Sequence, residues 1–209
     1  WVNDVKAVML GWYAGMEGGR VIADCLFGNV NPSGKLPVTF PHKVSDCPHA
    51  RLNDYQRDIC SYQEGVFVGY RWYEENEIEP LFPFGHGLGY TTFEYTNLQI
   101  QLVLEETCMV RVSCHITNTG NRIGKETVQL YVSDPACSVK RPAKELKGFQ
   151  KVEVPPAKTV VVHFDITRRD LSYWSVEDKN WRCEPGTFRV QIGASSADIR
   201  LENEFVIQH

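Results

Sequence analysis

From Phe93 onward the chain repeats one pattern: short runs in which every second side chain is apolar, broken by turn residues. Leu98, Ile100, Leu102 and Leu104 alternate with polar or small positions. Cys108, Val110, Val112, Cys114 and Ile116 share one face, with Arg111, Ser113, His115 and Thr117 on the other. Val128, Leu130 and Val132 repeat the pattern, as do Val160, Val162, Phe164 and Ile166. Phe188, Val190 and Ile192 follow, and Phe205 and Ile207 close the chain. The breaks are Asn118-Thr119-Gly120-Asn121, Ser133-Asp134-Pro135, Val154-Pro155-Pro156 and Glu184-Pro185-Gly186. A period of two places one face of a strand in a core and the other in water. About seven such strands in roughly 115 residues predict a two-sheet β-sandwich.

The first forty residues read differently. Val5-Lys6-Ala7-Val8-Met9-Leu10 suits a buried strand, Gly11 to Gly19 a loop, and Arg20 to Phe27 a helix. Val21, Ile22, Cys25 and Leu26 form the apolar stripe of that helix. Glu17 lies near its N-terminus, where a negative charge is favoured, and Gly28-Asn29 ends it before Pro32. Leu36 to Phe40 reads as a second short strand. Strand, helix, strand is the tail of an α/β layered domain, and one such unit cannot close a core alone. Residues 41–92 lack periodicity, and about fifty irregular residues point to a functional or bridging segment. Two blocks in it are dense in apolar groups, Gly65 to Tyr73 and Pro80 to Leu88. The expected division is therefore residues 1–40 as the α/β piece, 41–92 as a bridge and 93–209 as the sandwich.

Charge and composition exclude several functions. The 209 residues carry 22 Lys and Arg against 26 Asp and Glu, a net −4. Such a chain lacks the positive field that phosphate backbones require, so nucleic acid is not an expected partner. No run long enough to span a membrane occurs, so no membrane partner is expected. Trp1-Val2-Asn3-Asp4 has no initiator Met, basic n-region or apolar h-region, so no signal peptide is expected. A chain that opens on the approach to a core strand is expected to be a piece of something longer. The cysteines (Cys25, Cys47, Cys60, Cys108, Cys114, Cys137, Cys183) are odd in number and scattered, so no disulfide framework is expected. The one Asn-x-Ser match, Asn31-Pro32-Ser33, is disqualified by its proline. Both features lean to the cytoplasm and leave secretion open.

Several constellations invite chemistry. Gly11, Gly15, Gly18 and Gly19 precede a helix, but neither a Gly-Lys-[Ser/Thr] nor a Gly-x-Gly-x-x-Gly is present, so a tight turn is preferred to a phosphate loop. Trp12 and Tyr13 follow the carboxyl end of the expected strand, where α/β folds place ligands, and are candidates for lining a substrate cleft. His42, Cys47, His49 and Cys60 lack the paired spacing of a zinc site, so no metal or other cofactor is expected. No Gly-x-Ser-x-Gly elbow is present. Among the carboxylates, Asp54, Asp58 and Glu64 stand apart, while Glu74, Glu75, Glu77 and Glu79 read as a solvated turn without an apolar frame to shift their titration. Lys140, Arg141, Lys144, Lys147 and Lys151 read as edge-strand protection rather than a nucleic-acid surface. Phe67, Tyr70, Trp72 and Tyr73 read as packing before they read as a sugar platform.

Seven stretches then carry a resemblance. Tyr13 to Gly19, Ala23 to Gly28 and Asn31-Pro32-Ser33-Gly34-Lys35-Leu36-Pro37-Val38-Thr39-Phe40-Pro41 resemble the C-terminal part of glycoside hydrolase family 3. Glu64 to Tyr73 and Pro80-Leu81-Phe82-Pro83-Phe84-Gly85-His86-Gly87-Leu88 are similar to its next blocks, in the same order. Glu145 to Phe149 and Gly186 to Ser196 resemble its fibronectin type III-like domain. The resemblance spans nearly the whole chain, with Ala14, Met16 and Gly89 standing where the family usually has proline, glutamine and serine. It implies a mostly β chain, the tail of an α/β sandwich domain plus a fibronectin type III-like, immunoglobulin-like sandwich. It further implies part of a retaining β-glucosidase acting on terminal β-D-glucosyl residues of glucosides and oligosaccharides. By the resemblance both catalytic carboxylates and most glycone contacts lie upstream of Trp1, so no catalytic residue is assigned here and the upstream catalytic portion is the expected partner. The alternative is a non-catalytic carbohydrate- or protein-binding sandwich module.

Overall fold

The computed structural model describes residues 1–54, 58–103, 105 and 108–208. Its order is α1 (Gly18–Leu26), α2 (Pro48–Leu52), α3 (Tyr70–Glu75), β1 (Phe93–Leu102), β2 (Val110–Asn118), β3 (Gly124–Ser133), β4 (Glu145–Val154), β5 (Thr159–Ile166), α4 (Arg168–Leu171), β6 (Tyr173–Ser175), β7 (Asn180–Arg182), β8 (Gly186–Gly193) and β9 (Ile199–Ile207). A three-stranded sheet, β1-β2-β5, faces a four-stranded sheet, β4-β3-β8-β9, and all pairings are antiparallel. The expected sandwich is present. Leu104 lies outside the described residues.

Alternation builds the core as the sequence pattern requires. Val112 sits opposite Phe164 and Cys114 opposite Val162 in one sheet, and Leu130 opposite Ile192 and Val132 opposite Val190 in the other. These side chains are buried, and Phe188 stacks on Phe205 with centroids 5.6 Å apart. Each fully buried aliphatic group of this size contributes about 1.5–3 kcal/mol. The basic stretch only partly fits its expected place. β4 is an edge strand and carries Lys147 and Lys151, but Lys140 and Lys144 form ion pairs with Glu75 and Glu74 of α3.

β3 departs from simple alternation, being buried on both faces along most of its length. Val128, Leu130 and Val132 face the other sheet, while Gln129, Tyr131 and Ser133 are covered from outside. The cover comes from Tyr70, Phe84 and Gly85. Tyr70 stacks on Phe84 at 5.2 Å and meets Tyr131 edge-on at 5.8 Å. The Gln129 amide donates to the carbonyls of Gly85 (3.2 Å) and Ala194 (2.8 Å) and accepts from the Tyr131 hydroxyl (2.6 Å). Gly85 has φ +80°, and the Gln129 side chain occupies the space a Cβ would need there.

Two expected strands are not formed. Val5 to Leu10 belongs to no sheet, and its apolar side chains are exposed. Leu36 to Phe40 makes only one bridge, Phe40 with Phe82. A strand exists through its neighbours' backbone groups, and the described residues supply none beside Val5 to Leu10. The helix is present, beginning at Gly18 rather than Arg20, with Gly28 at φ +76° ending it. Its apolar stripe, however, faces outward: Val21, Ile22 and Leu26 are exposed.

Candidate functional site

Trp12 and Tyr13 stand on the loop that leads into α1. Gly18 N–H donates to the Gly15 carbonyl (3.2 Å) and Glu17 pairs with Arg20 (2.7 Å), closing the turn below them. Trp12 adopts a left-handed backbone (φ 46°) and is 56% exposed, and Tyr13 is wholly exposed. Around them Met9, Leu10, Met16, Val21, Leu26 and Phe27 are also exposed. So many large apolar side chains left exposed within one stretch of chain are unusual for a protein surface.

The buried carboxylates have structural assignments. Asp46 accepts from the Lys43 N–H (3.2 Å), while Asp54 accepts from the Gln63 N–H (3.1 Å). Glu126 pairs with Lys35 at 3.0 Å, and Lys35 also donates to the Gly87 carbonyl (3.0 Å). Glu74 corrects the expectation of a solvated turn. It lies on α3 against Lys144 with its side chain 21% exposed. Burial pushes its carboxyl above the usual range, opposed by the hydrogen bond and charge of Lys144. Tyr70, one turn earlier on α3, packs edge-on against Tyr131 of β3, so this end of the helix lies against the sandwich rather than in water.

A second ionic cluster joins the loop after β3 to β4 and α3. Arg141 donates to Asp134 (3.2 Å), Glu145 (2.6 Å) and the Leu171 carbonyl (2.9 Å). Arg71 (3.3 Å) and Lys147 (3.5 Å) also reach Glu145. Burial raises the Glu145 carboxyl, but the Arg141 hydrogen bond and the surrounding cations outweigh it and leave it below its ordinary value. At Asp134 burial wins, and that carboxyl is held above the usual range despite Arg141.

Two clefts flank the bridge. One, of about 400 Å³, is lined by Lys35, His86, Tyr95, Glu126, Asp198 and Arg200. Burial, then the Lys35 charge, lowers the His86 imidazole, and the ring stacks on Phe82 at 5.5 Å. The other, of about 360 Å³, lies between Thr39, Tyr70, Tyr73, Glu74 and Lys144. Among the described residues no group of three or more His, Cys, Asp or Glu could hold a metal ion. Cys47 rests 3.8 Å from the Tyr73 hydroxyl. Among the described residues no helix is long and apolar enough to cross a membrane. The structure does not bring Trp12 and Tyr13 together with either cleft's lining.

A further feature has no counterpart in the sequence expectations, which contain no strand between Ile166 and Phe188. β6 and β7 form a two-stranded ribbon with Trp174 opposite Trp181. Tyr173 and Trp174 are strand-favouring aromatics, but a three-residue strand is too short a run to stand out.

Two family descriptions match the chain: the glycosyl hydrolase family 3 C-terminal domain over residues 1–90, and the fibronectin type III-like domain over residues 126–196. Thermostable β-glucosidase B of Acetivibrio thermocellus is 45% identical over 203 residues, covering 97% of this chain and 27% of that protein. β-Glucosidase BoGH3A of Bacteroides ovatus is 43% identical over 205 residues, covering 96% and 27%. The crystal structure of the Bifidobacterium adolescentis family 3 β-glucosidase superposes with TM-score 0.93 at 36% identity, covering 99% of this chain and 30% of that one. β-Glucosidase 3B of Thermotoga neapolitana, solved with α-D-glucose, superposes at 0.91 with 39% identity, covering 100% and 29%. The chain thus spans under a third of the length of these relatives.

Proposed function

Because the chain belongs to glycoside hydrolase family 3, where it matches the C-terminal domain and the fibronectin type III-like domain, we propose that it serves as the non-catalytic C-terminal part of a retaining β-glucosidase. The observation that carries this reading is the uncovered apolar face of residues 5–27 beside a sandwich whose own core is complete. In this reading residues 1–40 complete an α/β domain, 41–92 bridge, and 93–209 form the sandwich. Trp12 and Tyr13 line the substrate cleft once that domain is whole.

Retaining hydrolysis needs a nucleophilic carboxylate and a second acting as acid and then base, about 5–5.5 Å apart. Asp46, Asp54 and Glu126 hold backbone or lysine donors, and the family resemblance assigns both catalytic groups to the upstream catalytic portion. This chain's contribution is mechanical. Gln129, Tyr131 and Tyr70 lock the bridge onto the sandwich. Asn31 and Arg122 fix the region after α1, donating to the Ile123 (2.9 Å) and Gly28 (3.1 Å) carbonyls.

The test is complementation. The chain is assayed on an aryl β-glucoside alone and mixed with the barrel and α/β portion of a family 3 β-glucosidase. Turnover is expected only in the mixture. Hydrolysis by the chain alone would place catalytic carboxylates within it and defeat the assignment.

A further inference from the structure

Helix α1 leaves Val21, Ile22 and Leu26 in solvent, so packing of its apolar stripe does not hold it. Among the described residues, two hydrogen bonds tie residues 1–30 to the rest of the chain, and both land on the C-terminal end of α1. The Tyr90 hydroxyl donates to the Cys25 carbonyl (2.8 Å), inside the last turn. The Arg122 guanidinium donates to the Gly28 carbonyl (3.1 Å), just past that turn. Carbonyls at a helix end lack helical donors, and a cation there also meets the negative end of the helix dipole.

Both arms of this clamp are mounted on one core residue. Asn118, fully buried at the end of β2, accepts from the Thr91 hydroxyl (2.6 Å) and the Gly120 N–H (3.0 Å). Its amide donates to the carbonyls of Arg122 (2.7 Å) and Val154 (2.8 Å). Asn118 thus holds Arg122 by its backbone and Thr91, the residue after Tyr90, by its side chain. Asn31 joins the two arms, accepting from the Tyr90 N–H (2.7 Å) and donating to the Ile123 carbonyl (2.9 Å).

We infer that Tyr90 and Arg122 are positioning residues that hold α1 preformed, in the pose on which the upstream catalytic portion docks. Nine residues that include Gly18 and Gly19 make too short a helix to persist by propensity. The clamp compensates at one end and leaves the apolar stripe free. A helix already formed and oriented spares the partner the cost of ordering it, so the clamp acts on affinity rather than on turnover. The identity of the partner rests on the β-glucosidase reading above. The clamp does not.

The test compares the unchanged chain with a double variant, Tyr90→Phe with Arg122→Ala, by millisecond hydrogen exchange and by complementation with the barrel and α/β portion of a family 3 β-glucosidase. In the chain alone, α1 amides, Phe27 among them, are expected to exchange about tenfold faster, while β2 and β5 amides and the urea midpoint stay unchanged. In the mixture, the chain concentration giving half-maximal hydrolysis should rise about tenfold, with the rate at saturating chain unchanged. Arg122→Lys should stay closer to the unchanged chain than Arg122→Ala, because an ammonium still suits a helix C-terminus. Unchanged α1 exchange, acceleration that extends to β2 and β5, or a lower saturating rate at an unchanged half-maximal concentration would each overturn the inference. Full complementation with unchanged α1 exchange defeats this inference alone. Faster α1 exchange when no form of the chain complements defeats the enzymatic reading alone.

Discussion

Arg141 shows how one residue can organise three segments. Its guanidinium is 9% exposed and bonds two carboxylates and a carbonyl at once. Removing one member of such a cluster leaves buried charges unpaired, so Arg141→Ala is expected to destabilise the chain by about 3–5 kcal/mol in urea unfolding. Arg141→Lys should recover only part of that, because one ammonium cannot reproduce the planar fork. A loss below about 1 kcal/mol would reduce the cluster to an ordinary surface pair. The acid limb has a separate origin at Glu184. Hydrogen bonds from Ser138 hold that carboxyl down at about 2, from an ordinary 4.5. A carboxyl lowered in the folded state stabilises fully above its unfolded value and loses that contribution as the pH falls through the folded one. Stability from Glu184 is therefore expected to fade between about pH 4.5 and pH 2. Glu184→Gln should flatten that limb in thermal melts, and an unchanged acid limb would refute the assignment. Glu74 and Asp134, raised by burial, act in the opposite direction.

At the scale of elements, β3 shows how residues 70–85 are held against the sandwich. Its inner face was legible from Val128, Leu130 and Val132 because period-two alternation needs only the strand itself. Its outer face was not. Gln129, Tyr131 and Ser133 resemble solvent-facing positions, and their cover, Tyr70, Phe84 and Gly85, lies far away in sequence. The same limit applies to Glu74, whose partner Lys144 lies far along the chain, and to Val5 to Leu10, for which the described residues supply no sheet neighbour. Helix α1 was legible because glycine punctuation and helical periodicity are local signals. Trp12 and Tyr13 stand out in the sequence only by their place after the expected strand, whereas Trp174 and Trp181 become a pair only through the ribbon register. Gln129→Leu keeps the volume but strips partners from the carbonyls of Gly85 and Ala194 and from the Tyr131 hydroxyl. It is expected to cost about 1–3 kcal/mol. Hydrogen exchange should localise the effect, with Gly85 and His86 amides, bonded to Leu36 and Pro83, exchanging faster while β2 and β5 stay protected. Uniform acceleration across both sheets would show that the bridge is integral to the core rather than clasped onto it.

At the scale of the molecule, the two ends differ in how far they are finished. The sandwich buries its apolar positions on both sheets, whereas α1 and the residues before it expose theirs, Leu26 at 67% and Phe27 at 84%. Side chains that touch little cannot contribute much to the stability of this chain. Leu26→Glu and Phe27→Glu should therefore change its urea midpoint by no more than about 0.5 kcal/mol equivalent. If the face is instead the docking surface for the upstream catalytic portion, a buried unpaired carboxylate at its centre is costly in the assembled state alone. The same substitutions should then abolish complementation of aryl β-glucoside hydrolysis, while Val161→Glu, on an exposed position of β5, should not. Complementation that tolerates Leu26→Glu and Phe27→Glu would remove α1 from the interface, and the apolar face would then need another occupant.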